Sequence, residues 1–327
     1  MKNLCLLICL FIFSNLAFSQ SETMPVILIS TNKSISYKDQ SKVKVIPGSI
    51  MNKQGTLTIP PQGTATLYHN YMFVEVNHNE SPVVLNKLFE NNEGMVSKYE
   101  LSFGEKISNA VYNASISGVK MKNKKSLVSG WGNKAGSGKD GWGDKAGSGK
   151  DGWGDKDIKI RSKCPGGKYV SGINTVSWES LKGTKNYTFV IEDMDHNIVF
   201  TTQVKGTEYS IDTKVANLML NKTYAWYVHH PTKKEVSTPV FFQVVEKSIE
   251  EKALNDITSL EIYKKANAEL MLLMVAHQLE DTGLILAAQS KYKNAMKVAP
   301  KNSLAKMMYS LFCINLNEVE SAAKALK

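Results

Sequence analysis

The residues most suggestive of chemistry are two copies of the string AGSGK, which begin at Ala135 and Ala146. This string is the centre of the phosphate-binding motif G-x-x-x-x-G-K-[ST], in which backbone N–H groups and the lysine hold phosphate oxygens. In the first copy, however, Asn133 replaces the first glycine and Asp140 replaces the hydroxyl residue that binds magnesium. The second copy has aspartate at both positions. Because a carboxylate repels a neighbouring phosphate, the sequence argues against a nucleotide site.

Both copies belong to a repeat with an 11-residue period, GWGNKAGSGKD, GWGDKAGSGKD and GWGDKD. The part GSGKDGW is similar to the calcium-binding β-roll repeat, but alanine replaces the first glycine and the period of that repeat is nine. Each unit carries one tryptophan among glycines. These tryptophans could stack on sugar rings or insert into a partner, and the alternative is that the repeat is a passive spacer. The candidate contact residues are Trp131, Trp142 and Trp153.

Other candidate motifs depart from the patterns that their chemistry needs. The stretch DMDHN, residues 193–197, begins like a calcium loop, but Ile198 stands where the loop needs glycine, so a hairpin turn is predicted. None of the six histidines is predicted to have a metal-binding partner, and no G-x-S-x-G nucleophile motif occurs. The sequence therefore predicts no catalytic residue, no metal site and no cofactor, and it favours a protein that is not an enzyme.

The N-terminus and the charge of the chain indicate where it works. Residues 1–19, MKNLCLLICLFIFSNLAFS, have the charged start, apolar run and small residues of a secretory signal peptide. We therefore expect an exported protein, in the periplasm or at the cell surface, with no further transmembrane span. A net charge of +10 without a nucleic-acid-binding motif argues against nucleic acid as the partner, although an anionic cell-wall polymer fits. Beyond the signal peptide, Cys164 and Cys313 could be free or paired.

Residues 24–118 are predicted to form a small β-rich domain with short helices. Alternating apolar runs between Pro and Gly turns predict antiparallel strands. Apolar residues at three- and four-residue spacing then predict two short helices, in SPVVLNKLFENNEG and KYELSFGEKISNAVYNA. The run PGSIMNKQGTLTIPPQGTATLYHNYMFVEV resembles the FecR-like β domain of bacterial envelope proteins. Residues 119–157, basic and then rich in Gly and Trp, are predicted to be a flexible linker.

Residues 158–247 return to short strands separated by turns, which predicts a β-sandwich. This segment resembles a fibronectin type III domain, because its landmark residues fall at the spacing of that family. It departs from the family at Leu220, where a proline is usual. The matching residues are Trp178 of strand B, Tyr187 of strand C, Leu218 six residues before the strand F tyrosine, and Tyr224, Trp226 and Val228 of strand F.

Residues 248–327 are predicted to be helical, and GLILAAQSKYKNAMKVAP resembles the second half of a tetratricopeptide repeat. Ala276 departs from the pattern, because glycine is usual there. About one and a half repeats are present, so the unit must close on its own leading helix, 248–264, or borrow a surface from elsewhere. The matching residues are Leu272, Val275, Leu279, Gly283, Ala288, Tyr292, Ala295 and Pro300.

The sequence thus predicts a multidomain chain with an N-terminal β domain, a linker, a β-sandwich and a C-terminal all-helical repeat unit. Both later modules resemble modules that bind other proteins. The expected function is a non-enzymatic scaffold or adaptor in the bacterial cell envelope, with the concave side of the C-terminal helices as the partner site. The alternative is carbohydrate or peptidoglycan binding through the three linker tryptophans.

Overall fold

The computed structural model describes residues 26–39, 42–70, 72–90, 97–120, 157–232, 235–316 and 318–326. The predicted signal peptide and the tryptophan repeat lie outside these residues. The N-terminal and central parts are rich in strands and the C-terminal part is helical, which confirms the predicted order of a β-rich part and a helical part. The chain divides between residues 95 and 96 into two compact units.

Two four-stranded antiparallel sheets share the core of the first unit. The first contains β1 (Val26–Thr31), β4 (Ile50–Met51), β6 (Thr64–His69) and β7 (Met72–Asn77), in the order β4-β1-β6-β7. The second contains β2 (Ile35–Lys38), β3 (Lys42–Val45), β5 (Thr56–Thr58) and β8 (Val83–Val84), in the order β3-β2-β5-β8. A short 3-10 helix (His78–Glu80) and helix α1 (Leu85–Glu90) follow β7 and β8.

Apolar residues that alternate along the strands form this core, as the sequence pattern predicts. Leu57 is buried between two threonines of β5, and Ala65 and Leu67 alternate in β6. Phe89 adds its ring to the same cluster from α1. Burial of such side chains supplies most of the stabilising free energy of a small β unit.

The described β part of the second unit has one large sheet and one two-stranded sheet. The strands are β9 (Asp157–Ile160), β10 (Gly167–Val170), β11 (Ile173–Ser177), β12 (Asn186–Asp193), β13 (Ile198–Lys205), β14 (Glu208–Asp212), β15 (Thr223–His229), β16 (Glu235–Ser237) and β17 (Val240–Val245). The large sheet has the order β10-β17-β15-β12-β13, with β16 paired to β15 and to β9, and the small sheet pairs β11 with β14.

Side chains of both sheets share one aromatic core. Trp178, which follows β11, is fully buried beside Phe189 of β12, and Phe189 stacks on Trp226 of β15 at 5.7 Å between ring centroids. The indole N–H of Trp226 donates to the Tyr169 hydroxyl (3.1 Å), so this polar atom keeps a partner inside the core.

Two turns of this part are fixed by side-chain hydrogen bonds. The backbone N–H of Met219 donates to the Tyr224 hydroxyl (2.9 Å), which ties the turn before β15 to that strand. The Asp193 carboxylate accepts from the backbone N–H groups of Asp195 and Asn197, both at 2.9 Å. Residues 193–197 therefore form the turn between β12 and β13, which confirms the predicted hairpin.

Among the described residues, the helical part of the second unit contains one helix from before the predicted linker and six from the C-terminal region. Asn267 and Asn302 cap the helices that follow them with side-chain oxygens. No helix in the described parts of the chain is long and apolar enough to cross a membrane. The helices are α2 (Lys98–Lys120), α3 (Lys247–Thr258), α4 (Glu261–Lys265), α5 (Ala268–Asp281), α6 (Ile285–Val298), α7 (Ser303–Asn315) and α8 (Val319–Ala325).

The α5–α6 hairpin packs against the large sheet through its turn. Gly283 has φ +81° and its carbonyl accepts from the backbone N–H of Lys168 in β10 (2.9 Å). The Gln289 side chain of α6 donates to the Lys163 carbonyl (3.3 Å). Helix α6 therefore faces the sheet. Helix α2 contacts α5 and α7, the helices before and after α6.

Helix α2 differs from the prediction in length and in partner. The sequence predicts a short helix within a domain of residues 24–118, whereas α2 has 23 residues and belongs to the second unit. The apolar spacing of the helix predicts a buried face correctly, but it cannot identify the surface that covers that face. The helix packs on α5 and α7.

Candidate functional site

The candidate site is the face of α5 and α7 against which α2 packs, here named the α2 groove. One stripe of α2 enters it, because buried residues recur at three- and four-residue spacing and so lie on one side of the helix. Phe103 and Ile107 are fully buried, and Ala110 and Val111 continue the stripe. An amphipathic helix in a groove between two helices is a common form of peptide recognition by proteins.

Aromatic side chains fill the N-terminal end of the contact. The Tyr99 hydroxyl donates to the Met274 carbonyl of α5 (2.9 Å), and burial raises the pKa of Tyr99. The Tyr99 and Phe103 rings stack at 5.7 Å between centroids, and Phe103 lies 5.5 Å from the imidazole of His277. These rings exclude water from one side of the histidine.

The second feature of the contact is a serine, a histidine and an aspartate within hydrogen-bond reach. Ser102 Oγ of α2 lies 2.8 Å from His277 Nε2 and 2.8 Å from Asp281 Oδ2. Burial lowers the pKa of His277 to about 4, so the imidazole is neutral at pH 7. Burial also raises the pKa of Asp281, and the bond from Ser102 opposes that increase.

The donors and acceptors of this cluster follow from the hydroxyl, which has a single proton. The Ser102 hydroxyl donates that proton to the Asp281 carboxyl group. Ser102 Oγ is then the acceptor for His277, which must carry its proton on Nε2. His277 Nδ1 is therefore an acceptor, and within the described residues it has no hydrogen-bond partner.

An ion pair with a buried lysine is the third feature. Lys106 Nζ of α2 lies 2.5 Å from Glu280 Oε1, and the two side chains are 9% and 16% exposed. The second oxygen of Glu280 accepts from the Tyr292 hydroxyl of α6 (2.9 Å). Glu280 thus joins α2, α5 and α6, and removal of Lys106 would leave its charge without its partner in a poorly solvated position.

The arrangement of Ser102, His277 and Asp281 differs from that of a hydrolytic triad. In a triad, the carboxylate binds Nδ1 of the histidine and holds the ring so that Nε2 accepts the serine proton. Here the carboxylate binds the serine, and Nε2 is the donor. The geometry is that of a polar contact between two helices, with a neutral imidazole in the middle.

The two cysteines that follow the predicted signal peptide are both free and buried. Cys164 Sγ accepts from the backbone N–H of Ser177 (3.1 Å), and burial raises the pKa of the Cys164 thiol. Burial also raises the pKa of Cys313 to about 12. Both side chains are therefore thiols rather than thiolates at pH 7, and thiols are poor nucleophiles and metal ligands.

The predicted contact residues Trp131, Trp142 and Trp153 lie outside the described residues, so their role stays a prediction. Among the described residues, no group of three or more His, Cys, Asp or Glu side chains could hold a metal ion. The histidine prediction missed one partner, because His277 Nε2 lies 3.4 Å from Asp281 Oδ2, four residues later in α5. The four-residue spacing could have identified this pair from the sequence. Ser102 could not have been found in this way, because it is 175 residues away from His277 in the sequence.

Comparison of the sequence with models of protein families and with curated proteins finds no match. The resemblances to FecR-like, fibronectin type III and tetratricopeptide repeat domains therefore stay predictions, and the candidate site depends on its geometry alone.

Proposed function

We propose that this chain is an exported, non-enzymatic adaptor that binds a partner protein through the α2 groove. The observation that carries the proposal is that an amphipathic helix, α2, lies against α5 and α7. These two helices precede and follow α6 in the chain. Helix α6 faces β10 on the other side of this arrangement. The surface formed by α5 and α7 thus accepts a helix, which is the behaviour expected of a protein-binding helical unit.

The resemblances proposed for the second unit are supported by particular contacts. The residues at the small and aromatic positions of the tetratricopeptide pattern, Ala288, Tyr292 and Ala295, are all fully buried. The hydrogen bond from Met219 N–H to the Tyr224 hydroxyl resembles the tyrosine corner that occurs in immunoglobulin-like sandwiches. We therefore propose a fibronectin-type sandwich joined to a helical repeat unit, a combination suited to holding partners rather than to catalysis.

Photo-crosslinking tests the adaptor function. A photoreactive amino acid at Asp281, whose side chain is 47% exposed beside the groove, should give one discrete crosslinked envelope protein in intact cells. The matched control places the same residue at Ile173, which is 73% exposed on the small sheet. Identical products from both positions, or no product from position 281, would contradict the proposal.

A second candidate function is carbohydrate or peptidoglycan binding through Trp131, Trp142 and Trp153. It is favoured by one tryptophan per 11-residue unit in a glycine-rich stretch, whose sequence contains no other large apolar residue. The test is retention of the intact chain on purified cell-wall polymer, compared with a variant that has all three tryptophans changed to alanine. Equal retention of both proteins would remove this candidate.

A further inference from the structure

We propose that α2 is an exchangeable internal ligand of the α2 groove, and that the partner inserts a helix with the same side-chain pattern in its place. The inference rests on the proposed adaptor function and defines the partner chemistry. The pattern begins with an aromatic residue at position i. It continues with serine at i+3, a second aromatic residue at i+4, lysine at i+7 and isoleucine at i+8. In α2 these are Tyr99, Ser102, Phe103, Lys106 and Ile107.

Helix α2 is far in sequence from the helices that it contacts, and in this respect it resembles a ligand from a separate chain. Short turns join α5 to α6 and α6 to α7, so the chain itself holds the two helices of the groove together. Helix α2 meets α5 through groups that are 174 to 179 residues apart in sequence. Residues 121–156 separate α2 from β9 in the sequence, so the two elements are not joined by a short turn. The contact is therefore maintained by its own side-chain interactions.

The polar groups of the groove specify the helix that it accepts. Glu280 selects a cation at the position of Lys106, because a carboxylate held at 16% exposure disfavours an apolar or acidic neighbour. His277 Nε2 and Asp281 together select a hydroxyl, which accepts from one group and donates to the other. A helix that lacks either side chain would leave a buried polar group without its partner, which costs binding free energy.

The internal helix is an imperfect occupant of its own groove. His277 Nδ1 is a buried acceptor for which no described residue provides a donor. Burying this acceptor without a partner costs free energy, which weakens the hold of the groove on α2. A free helix with the same side-chain pattern can therefore compete with α2, although α2 has the advantage of being covalently attached.

The test uses a fluorescein-labelled peptide with the sequence of residues 97–114 and the full-length chain. In the chain, Lys106→Glu should expel α2, because it places a second carboxylate against Glu280. Fluorescence anisotropy should then show at least tenfold tighter binding of the native peptide to this variant than to the unaltered chain. The matched control is Glu105→Lys, an exposed charge reversal on the same helix, which should bind the peptide as the unaltered chain does.

The decisive measurement exchanges the two charges of the Lys106–Glu280 ion pair. A chain with both Lys106→Glu and Glu280→Lys should again hold its own α2 and exclude the native peptide. A chain with only Glu280→Lys should bind a peptide carrying Lys106→Glu at least tenfold more tightly than the native peptide. Equal affinity of the Lys106→Glu and unaltered chains for the native peptide overturns the proposal, and so does loss of the folded helical unit in the Lys106→Glu chain by circular dichroism.

Failure here and failure of the adaptor function give different results. If α2 cannot be exchanged but position 281 still crosslinks to one envelope protein, the adaptor function stands and this inference falls. If the peptide exchanges but no crosslinked protein is found, the exchange stands and the adaptor function falls.

Discussion

At the residue scale, the informative side chains are ionisable groups that the fold keeps neutral or paired. His277 is neutral because burial disfavours its charged form, while Lys106 is paired with Glu280. Neither His277 nor Lys106 stands in a recognisable motif, because each depends on a partner in a distant part of the sequence. The glycine-lysine motif at 135–139, by contrast, is conspicuous in the sequence and lacks the residues that its chemistry requires.

Glu269, in the first turn of α5, carries a pH-dependent prediction. Burial raises its pKa from 4.5 to about 7, although the Asn302 side chain donates to it, and its Oε1 has no partner among the described residues. A carboxyl group with a raised pKa contributes stability that is fully present below pH 4.5 and is lost as the pH rises through 7. Glu269→Gln should therefore raise the free energy of unfolding by about 2 to 3 kcal/mol at pH 8.

Denaturant unfolding at pH 4.5, 6 and 8 checks this prediction, and the advantage of Glu269→Gln should fall toward zero at the lowest pH. The control is Glu261→Gln, at an exposed position where Lys264 lowers the pKa of the carboxyl group. The control variant should show no gain at pH 8. A Glu269→Gln advantage that does not change with pH would mean that the effect is packing rather than ionisation.

At the element scale, the turn between β4 and β5 packs closely against one side chain of β2, Tyr37. A Cβ atom on Gly55 would lie 2.1 Å from the Tyr37 ring, so the ring occupies the space that any larger residue would need. The Tyr37 hydroxyl donates to the Asn52 carbonyl (3.0 Å) and accepts from the Asn52 N–H (2.9 Å). Gly55→Ala should therefore displace the ring, break both bonds and lower the stability of the first unit by about 2 to 4 kcal/mol.

A double-mutant cycle measured by calorimetry tests this interpretation. In a Tyr37→Ala background the ring is absent, so Gly55→Ala should cost much less than in the unaltered chain. If the cost of Gly55→Ala is the same in both backgrounds, the loss has another origin than the contact with the ring.

The elements also show what a sequence can and cannot predict. Alternation and turn residues predict the strands of both β regions, because these signals are local. The hairpin at 193–197 was predicted for the same reason. The sequence left open whether the incomplete helical repeat closes on its own leading helix or borrows a surface, and in the structure both α3 and α2 contact α5. Nothing in the spacing of Phe103 and Ile107 identifies α5 and α7 as the helices that α2 packs on, because periodicity reports a buried face and not its partner.

At the scale of the whole molecule, the second unit is assembled from segments on both sides of the predicted linker. Helix α2 precedes residues 121–156, and the β strands and the remaining helices follow them. The boundary predicted at residue 118 treated the linker as a separator of two domains. The structure instead places helices from before and after the linker in one compact unit, so cutting the linker is a direct test of how strongly the α2 groove holds its occupant.

Cleavage within the linker should leave the two fragments associated. A specific protease site introduced in place of residues 136–142 separates α2 from β9 without altering a described residue. Because Phe103, Ile107 and the Lys106–Glu280 pair remain in place, the fragments should co-elute in size-exclusion chromatography at high micromolar concentration. They should separate on dilution, since the contact is then bimolecular and has lost the high effective concentration that the linker supplies.

Charge reversals on α2 show whether the groove is what holds the cleaved fragments together. Lys106→Glu should separate them at every concentration, because it opposes Glu280 with a second carboxylate. Glu105→Lys, on the exposed side of the same helix, should leave co-elution unchanged. If the fragments of the Lys106→Glu protein stay together, they associate through a surface other than the α2 groove. Unaltered fragments that separate at high concentration would mean that α2 occupies the groove only because the chain tethers it there.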